Sequence, residues 1–245
     1  LPPKAKEKEP ILSHIGELRQ RLISSLLAVT FLFFLVFFFS DKVINFLKEP
    51  LVNSLPGKVT KLHFTGPLDV FLASIKVSFL TAVVLACPIW IYHFWKFIEP
   101  ALYKKEKTLI RPFILISISL FMLGLSFCYW VILPITLSFL INLGLEVGTP
   151  MITINDYFSI ITMMIFSFGI IFEFPLLLIL LAYLNIIHYH SLKSMRRYIC
   201  IGSLILAAIL TPPDPLSQIA MAIPLYLMYE IALLIIKFIK KPKAV

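Results

Sequence analysis

Charge is scarce in this chain. Only 14% of its 245 residues are Asp, Glu, Lys or Arg, and 60% are hydrophobic. A soluble domain averages about 25% charged and roughly 45–50% apolar residues, so that class is excluded. Cysteine is almost absent too. Cys87, Cys128 and Cys200 each fall inside a different apolar stretch. None has a neighbour at metal or redox spacing, which leaves them as small apolar residues. There is no Gly-rich phosphate loop before a helix, no HExxH motif and no Cys/His cluster. The five histidines are scattered; His188 and His190 are the closest pair, read as interfacial packing. No serine inside an apolar run has a base at readable spacing. These absences argue against an enzyme, and no cofactor or metal is expected.

What the chain has is long apolar runs. Six segments approach the length of a bilayer crossing, at about 22–39, 73–95, 113–133, 158–184, 198–210 and 216–236. The formal net charge of +9 would suggest nucleic acid in a soluble protein. Here 17 of the 22 basic residues gather on one side of these segments: around Arg19 and Arg21, around Lys96 to Arg111, at Lys193 to Arg197, and beyond Lys237. The charge therefore reads as topology, with that side cytoplasmic and no nucleic-acid partner. The expected fold class is an all-α integral membrane protein with six transmembrane helices. Both termini are cytoplasmic, the last two spans are short, and the far-side loops are structured. Residues 1–245 form a single transmembrane domain in contact with the lipid bilayer.

The fifth segment is too short. Thirteen residues cover about 20 Å of a hydrocarbon core of about 30 Å. Thr211-Pro212-Pro213-Asp214-Pro215 follows at once and cannot continue a helix. This hairpin implies a thinned bilayer or entering water. Glu173 lies alone in the fourth run, at a cost of about 2.5–3.5 kcal/mol on insertion scales. An intramembrane acid points to function by default, and local thinning near the hairpin would lower its cost. On the far side, Val43, Ile44, Phe46, Leu47 and Leu51 suggest a short amphipathic helix ending near Pro50 and Pro56. A second ordered piece is expected from Leu62 to Phe71, and a charge-poor loop from Pro134 to Asp156.

On the cytoplasmic face acids stand among bases. Ser13 can cap a helix that places His14, Glu17 and Arg21 on one face. A Glu17–Arg21 pair at i,i+4 would by itself be worth a few tenths of a kcal/mol. The next inner loop adds Glu99 and Glu106 among lysines.

These residues carry a resemblance. The run His14 to Leu22 resembles the N-terminal motif of the TatC family, the receptor subunit of the twin-arginine protein translocase. So do Phe97-x-x-Pro100 through Glu106, Ser167-Phe-Gly-x-x-Phe-Glu173-x-Pro175, and Thr211 through Gln218 with Ile223-Pro224. They fall in order along nearly the whole chain. Gly16 inside the first motif and Asp69, where many members carry glutamate, are small departures.

The resemblance implies a multi-pass protein of the cell inner membrane with periplasmic far-side loops. It would bind twin-arginine signal peptides of folded cargo through Glu17 and Glu106, with Arg19 and Phe97 beside them. Carboxylates suit guanidinium forks, which pair with them in bidentate geometry. Single-span TatA/TatB-type subunits would dock at Thr211 and Gln218, while Pro50, Asp214 and Glu173 match further family positions. Self-association in a larger complex and use of the proton gradient are implied as well. The alternative is a proton-coupled small-solute transporter with Glu173 as the titrating group. Ser194-Met-Arg196-Arg197-Tyr198 looks like a twin-arginine signal but reads as the inner flank of the fifth span.

Overall fold

The structure, a computed structural model, describes residues 8–54, 62–101, 110–145, 151–210 and 215–239. Apart from a single bridge between two loops, the ordered elements there are helical. Among the described residues five helices are long and apolar enough to cross a membrane: Ile15–Phe37, Pro67–Leu85, Ile110–Leu145, Ile154–Tyr183 and Gln218–Ile239.

Helix α1, Lys8–Phe37, packs on α3 (Pro67–Leu85) and α4 (Cys87–Ile98) and otherwise presents apolar side chains outward, among them Leu22, Leu26 and Phe31. In a bilayer that face costs nothing, because lipid is as apolar as leucine. After a turn comes α2, Ser40–Ser54, which runs straight through Pro50. Of the two prolines near which the helix was expected to end, Pro50 is passed, and the helix ends at Ser54, ahead of Pro56; the reason is local. Proline cannot donate to the carbonyl four residues back, and that carbonyl, of Phe46, instead accepts from Tyr129 Oη at 2.8 Å. The Tyr129 ring stacks on Phe46, with centroids 4.7 Å apart. One residue on, Tyr157 Oη donates to the Leu47 carbonyl at 2.8 Å. Pro50 thus sits buried in a helix whose freed backbone group is satisfied by a neighbouring span.

Helix α3 begins at Pro67, earlier than the expected start of the second span. Asp69 explains this. Its Oδ2 accepts from the backbone N–H of Thr65 at 2.7 Å and of Gly66 at 3.1 Å, tying down the first turn. The second span is also not one helix. It breaks at Ala86 ahead of Pro88, and α4 resumes at Cys87. Trp90 Nε1 bridges the break by donating to the Val83 carbonyl at 3.1 Å.

A further correction concerns the loop expected from Pro134. Helix α5, Ile110–Phe127, passes through a π turn at Cys128–Ile132 into α6, Leu133–Leu145. The wider turn, closed by Leu133 N–H to the Cys128 carbonyl, takes up the misfit that Pro134 would force on a regular helix. Most of that segment is consequently helix. Its end approaches the loop that precedes α3, where His63 N–H donates to the Ile152 carbonyl at 3.0 Å and Ile154 N–H to the His63 carbonyl at 2.8 Å. These bonds tie the two loops together at that end of the bundle.

Helix α7, Ile154–Tyr183, is the central post. Thr153 Oγ1 caps it by accepting from Asp156 N–H at 3.2 Å. It packs against α3, α5 and α10 (Pro215–Ile239), and Ile161, Met164, Phe168 and Phe172 make its core face. Lys76 Nζ of α3 donates to Asn155 Oδ1 at 2.6 Å and Ser159 Oγ at 2.7 Å of α7, a polar tie near the start of α7. Asn185, at φ 59°, terminates α7 in the left-handed conformation. Short α8, Tyr189–Ser194, follows and leads into α9, Arg196–Leu210. At 15 residues α9 spans about 22 Å, short of the hydrocarbon core as its sequence indicates.

Candidate functional site

Three places hold the residues singled out by sequence. The first is the end of the bundle where α1 meets α4. Glu17 is half-buried, and its Oε1 accepts from Arg21 Nε at 3.0 Å and Arg21 Nη2 at 2.6 Å. The i,i+4 spacing on α1 makes this pair. Arg19, one hundred degrees away from Leu18, is exposed. Beside the pair lies a groove of about 200 Å³, bordered by Leu18, Arg21 and Leu22 of α1 and by His93, Phe94 and Phe97 of α4. Phe97 is therefore brought to Glu17's neighbourhood through Arg21. In the 3-10 turn that follows α4, Glu99 lies 2.5 Å from Lys96 Nζ. The hydrogen bond to Glu99 holds the Lys96 ammonium above its usual pKa. Glu106, farther along this loop, lies outside the described residues.

The second place is the middle of α7. Glu173 Oε2 accepts from Ser117 Oγ of α5 at 2.5 Å. Its other oxygen, Oε1, is buried and has no hydrogen-bond partner among the described residues. A half-satisfied carboxyl in a membrane bundle marks a site that an additional donor can complete. Ser117 was not found by sequence reasoning, since a serine in an apolar run carries no signal until its neighbour is known. Cys87 and Cys128 are buried and Cys200 exposed, all as free thiols. Among the described residues no His, Cys, Asp and Glu group is placed to hold a metal ion.

The third place is the hairpin of α9 and α10. Gln218 Nε2 donates to the Leu204 carbonyl at 3.1 Å, fastening the start of α10 to α9. Thr211 and Asp214 lie outside the described residues. At the opposite end of the hairpin Arg196 Nη2 meets Glu230 Oε2 at 2.7 Å. Reading Arg196 as topology alone thus missed its partner, which stands 34 residues away on another helix.

A bundle of long apolar helices with a carboxylate–guanidinium pair at one end and a lone acid within defines a polytopic membrane protein built around a few polar contacts. The family model described as Sec-independent protein translocase protein (TatC) matches residues 13–224. A protein of that name from Desulforapulum autotrophicum is 37% identical over 94% of this chain and 84% of its own. One from Aquifex aeolicus is 38% identical over 96% of this chain and 97% of its own. A crystal structure of the twin-arginine translocase receptor TatC superimposes with a TM-score of 0.82 at 38% identity, covering 92% of this chain and 98% of that one. The chain belongs to the TatC family, and it is a membrane component of the Sec-independent protein translocase.

Proposed function

We propose that this chain is the receptor and organising subunit of its translocase, binding twin-arginine signal peptides of folded cargo at the cytoplasmic face. Glu17 and Glu106 receive the two guanidinium groups, with Arg19 and Phe97 bordering them. In this reading the chain crosses the cell inner membrane six times with both termini cytoplasmic, α9 making the fifth, short crossing. Single-span TatA/TatB-type subunits meet the α9–α10 hairpin near Thr211 and Gln218. Several copies assemble, and the transmembrane proton gradient drives transport. Membership of a translocase family favours this over a proton-coupled solute transporter.

The observation that carries the reading is the occupied Glu17. Its carboxylate already holds a guanidinium through two donors, at 2.6 and 3.0 Å, the chemistry that an incoming arginine requires. The test is co-purification of the full chain with a peptide bearing Arg-Arg. Glu106→Ala, or Lys-Lys in the peptide, is expected to abolish most of the capture. Equal capture in all cases would remove the recognition role.

Glu173 has a different part. Its Oε1, without a partner among the described residues, suits a polar group arriving from a partner helix after the peptide has bound. Glu173→Gln keeps the Ser117 contact possible while removing charge. Export is expected to fall about tenfold or more, with peptide capture kept within about twofold. Parallel loss of both quantities would contradict the division of labour.

A further inference from the structure

Helix α9 rests on little. It packs chiefly against α10, with slight contact to α7 and α8. Its fully buried residues are only Ser203 and Ala207, one turn apart, with Ile199, Leu204 and Leu210 half-buried beside them. Small residues let two backbones approach closely but bury little area. The outward side shows Ile201, Ile205 and Ile209, each more than half exposed. Packing alone therefore specifies the tilt and rotation of α9 weakly, and polar contacts at its ends must supply the rest.

Those contacts exist at both ends. Toward the turn, Gln218 holds the Leu204 carbonyl. At the inner end both oxygens of Glu230 are engaged: Oε2 by Arg196 Nη2 at 2.7 Å, and Oε1 by Tyr226 Oη at 2.8 Å. Tyr226 lies one turn before Glu230 on α10, so its hydroxyl fixes the carboxylate plane and aims the free edge at Arg196. The adjacent Arg197 is engaged elsewhere, with its guanidinium 5.7 Å from the Tyr198 ring. Glu230 stands two turns inside Lys237 on a membrane-crossing helix, where an unpaired carboxylate is costly. The pair is accordingly less dispensable than an ion pair in open water.

Helix α10 has anchors of its own besides α9. Tyr229 Oη donates to the Leu192 carbonyl of α8, and Leu178, Ala182, Leu192, Tyr229, Ala232 and Leu233 form a separate apolar cluster joining α7, α8 and α10. One helix of the hairpin is anchored by a core, while the other is pinned to it.

We propose that Arg196, Glu230 and Tyr226 form a latch that sets the pose of the short helix α9 on α10, and thereby the surface that partner helices meet. Arg196 and Tyr226 are positioning residues, acting through Glu230. The link to partner docking rests on the reading given under the proposed function; the latch itself does not.

The test separates the two. Spin labels on native Cys200 and on Ile170→Cys of α7 report the α9 pose in the full chain in lipid nanodiscs, since Cys87 and Cys128 are buried. Arg196→Gln and Glu230→Gln are each expected to make the distance distribution about twice as broad. The exchange Arg196→Glu with Glu230→Arg restores a narrow one. Unchanged width in the single variants, or an exchange that restores nothing, overturns the latch. Should a charge variant also broaden a control pair on α5 and α7 (Leu115→Cys, Ile170→Cys, Cys200→Ser), Tyr226→Phe decides. It removes one hydroxyl, and a width equal to wild type overturns the latch. Docking is read separately, as cross-linking of single-span subunits to Gln218→Cys in membranes. Yield falling with the single variants and returning with the exchange supports the link. No cross-link in the otherwise unaltered chain overturns the docking reading and leaves the distance result standing.

Discussion

Glu17→Ala is expected to weaken binding of an Arg-Arg peptide about 10- to 100-fold, with the full chain in nanodiscs and a fluorescent peptide as titrant. A hydrogen-bonded charge pair contributes about 1.5–3 kcal/mol, and each 1.4 kcal/mol is about tenfold in Kd. The opposing term is Arg21, which the peptide must displace from the carboxylate. A partly exposed pair at i,i+4 is worth only about 0.3–0.5 kcal/mol, or about a factor of two. Loss of the carboxylate therefore dominates. Arg21→Ala should act in the other direction and tighten binding about twofold, by freeing the site from its internal occupant. The two variants thus have opposite signs, a pattern that general damage to α1 cannot produce. A Glu17→Ala protein binding within twofold of the wild type would remove Glu17 from the site.

The largest effect on stability is expected at Gly124. A Cβ there would lie 2.7 Å from the Phe168 backbone carbonyl oxygen and 2.8 Å from Cγ of Phe172. A backbone atom cannot rotate away, so α5 and α7 must separate along their most extensive contact. Gly124→Ala should cost about 1–3 kcal/mol as overpacking, and Gly124→Val more. Gly16 is the control, because nothing lies within 4 Å of a Cβ placed there. Gly16→Ala should instead stabilise α1 by up to about 1 kcal/mol. Thermal unfolding in detergent measures both. Equal midpoints for the two alanine variants would show that α5 and α7 do not pack tightly at Gly124.

Much of the architecture could be read from runs of apolar residues. Five of the expected crossing segments correspond to long apolar helices, and the short fifth segment is α9. Boundaries were less legible at some prolines, although Pro175 and Pro224 were read through correctly. Pro50 and Pro134 read as helix ends because each removes a backbone donor. Whether that loss is tolerated depends on who takes the freed carbonyl, and Tyr129, far along the chain, answers for Pro50. Pro88, by contrast, lies at a real break that an unbroken apolar run concealed.

At the candidate site the same division holds. The Glu17–Arg21 pair was visible because i,i+4 geometry is set by the helix itself. Glu173 was visible because a carboxylate is conspicuous in an apolar run, yet its partner Ser117, 56 residues away, was not. Arg196 was accounted for by its place beside a span, and Glu230 was not singled out at all.

The sequence by itself determined the class of protein, the number and rough length of its apolar segments, and the presence of an acid, Glu173, within the fourth of them. Those properties are local, since transfer from water to lipid is summed residue by residue along a run. The tertiary structure alone decided which polar groups meet: Tyr129 with Phe46, Tyr157 with Leu47, Ser117 with Glu173 and Arg196 with Glu230. Inside a bilayer no water can substitute for a missing partner. The pairings therefore fix how the helices sit against one another, and they join residues whose positions in the chain say nothing of their proximity.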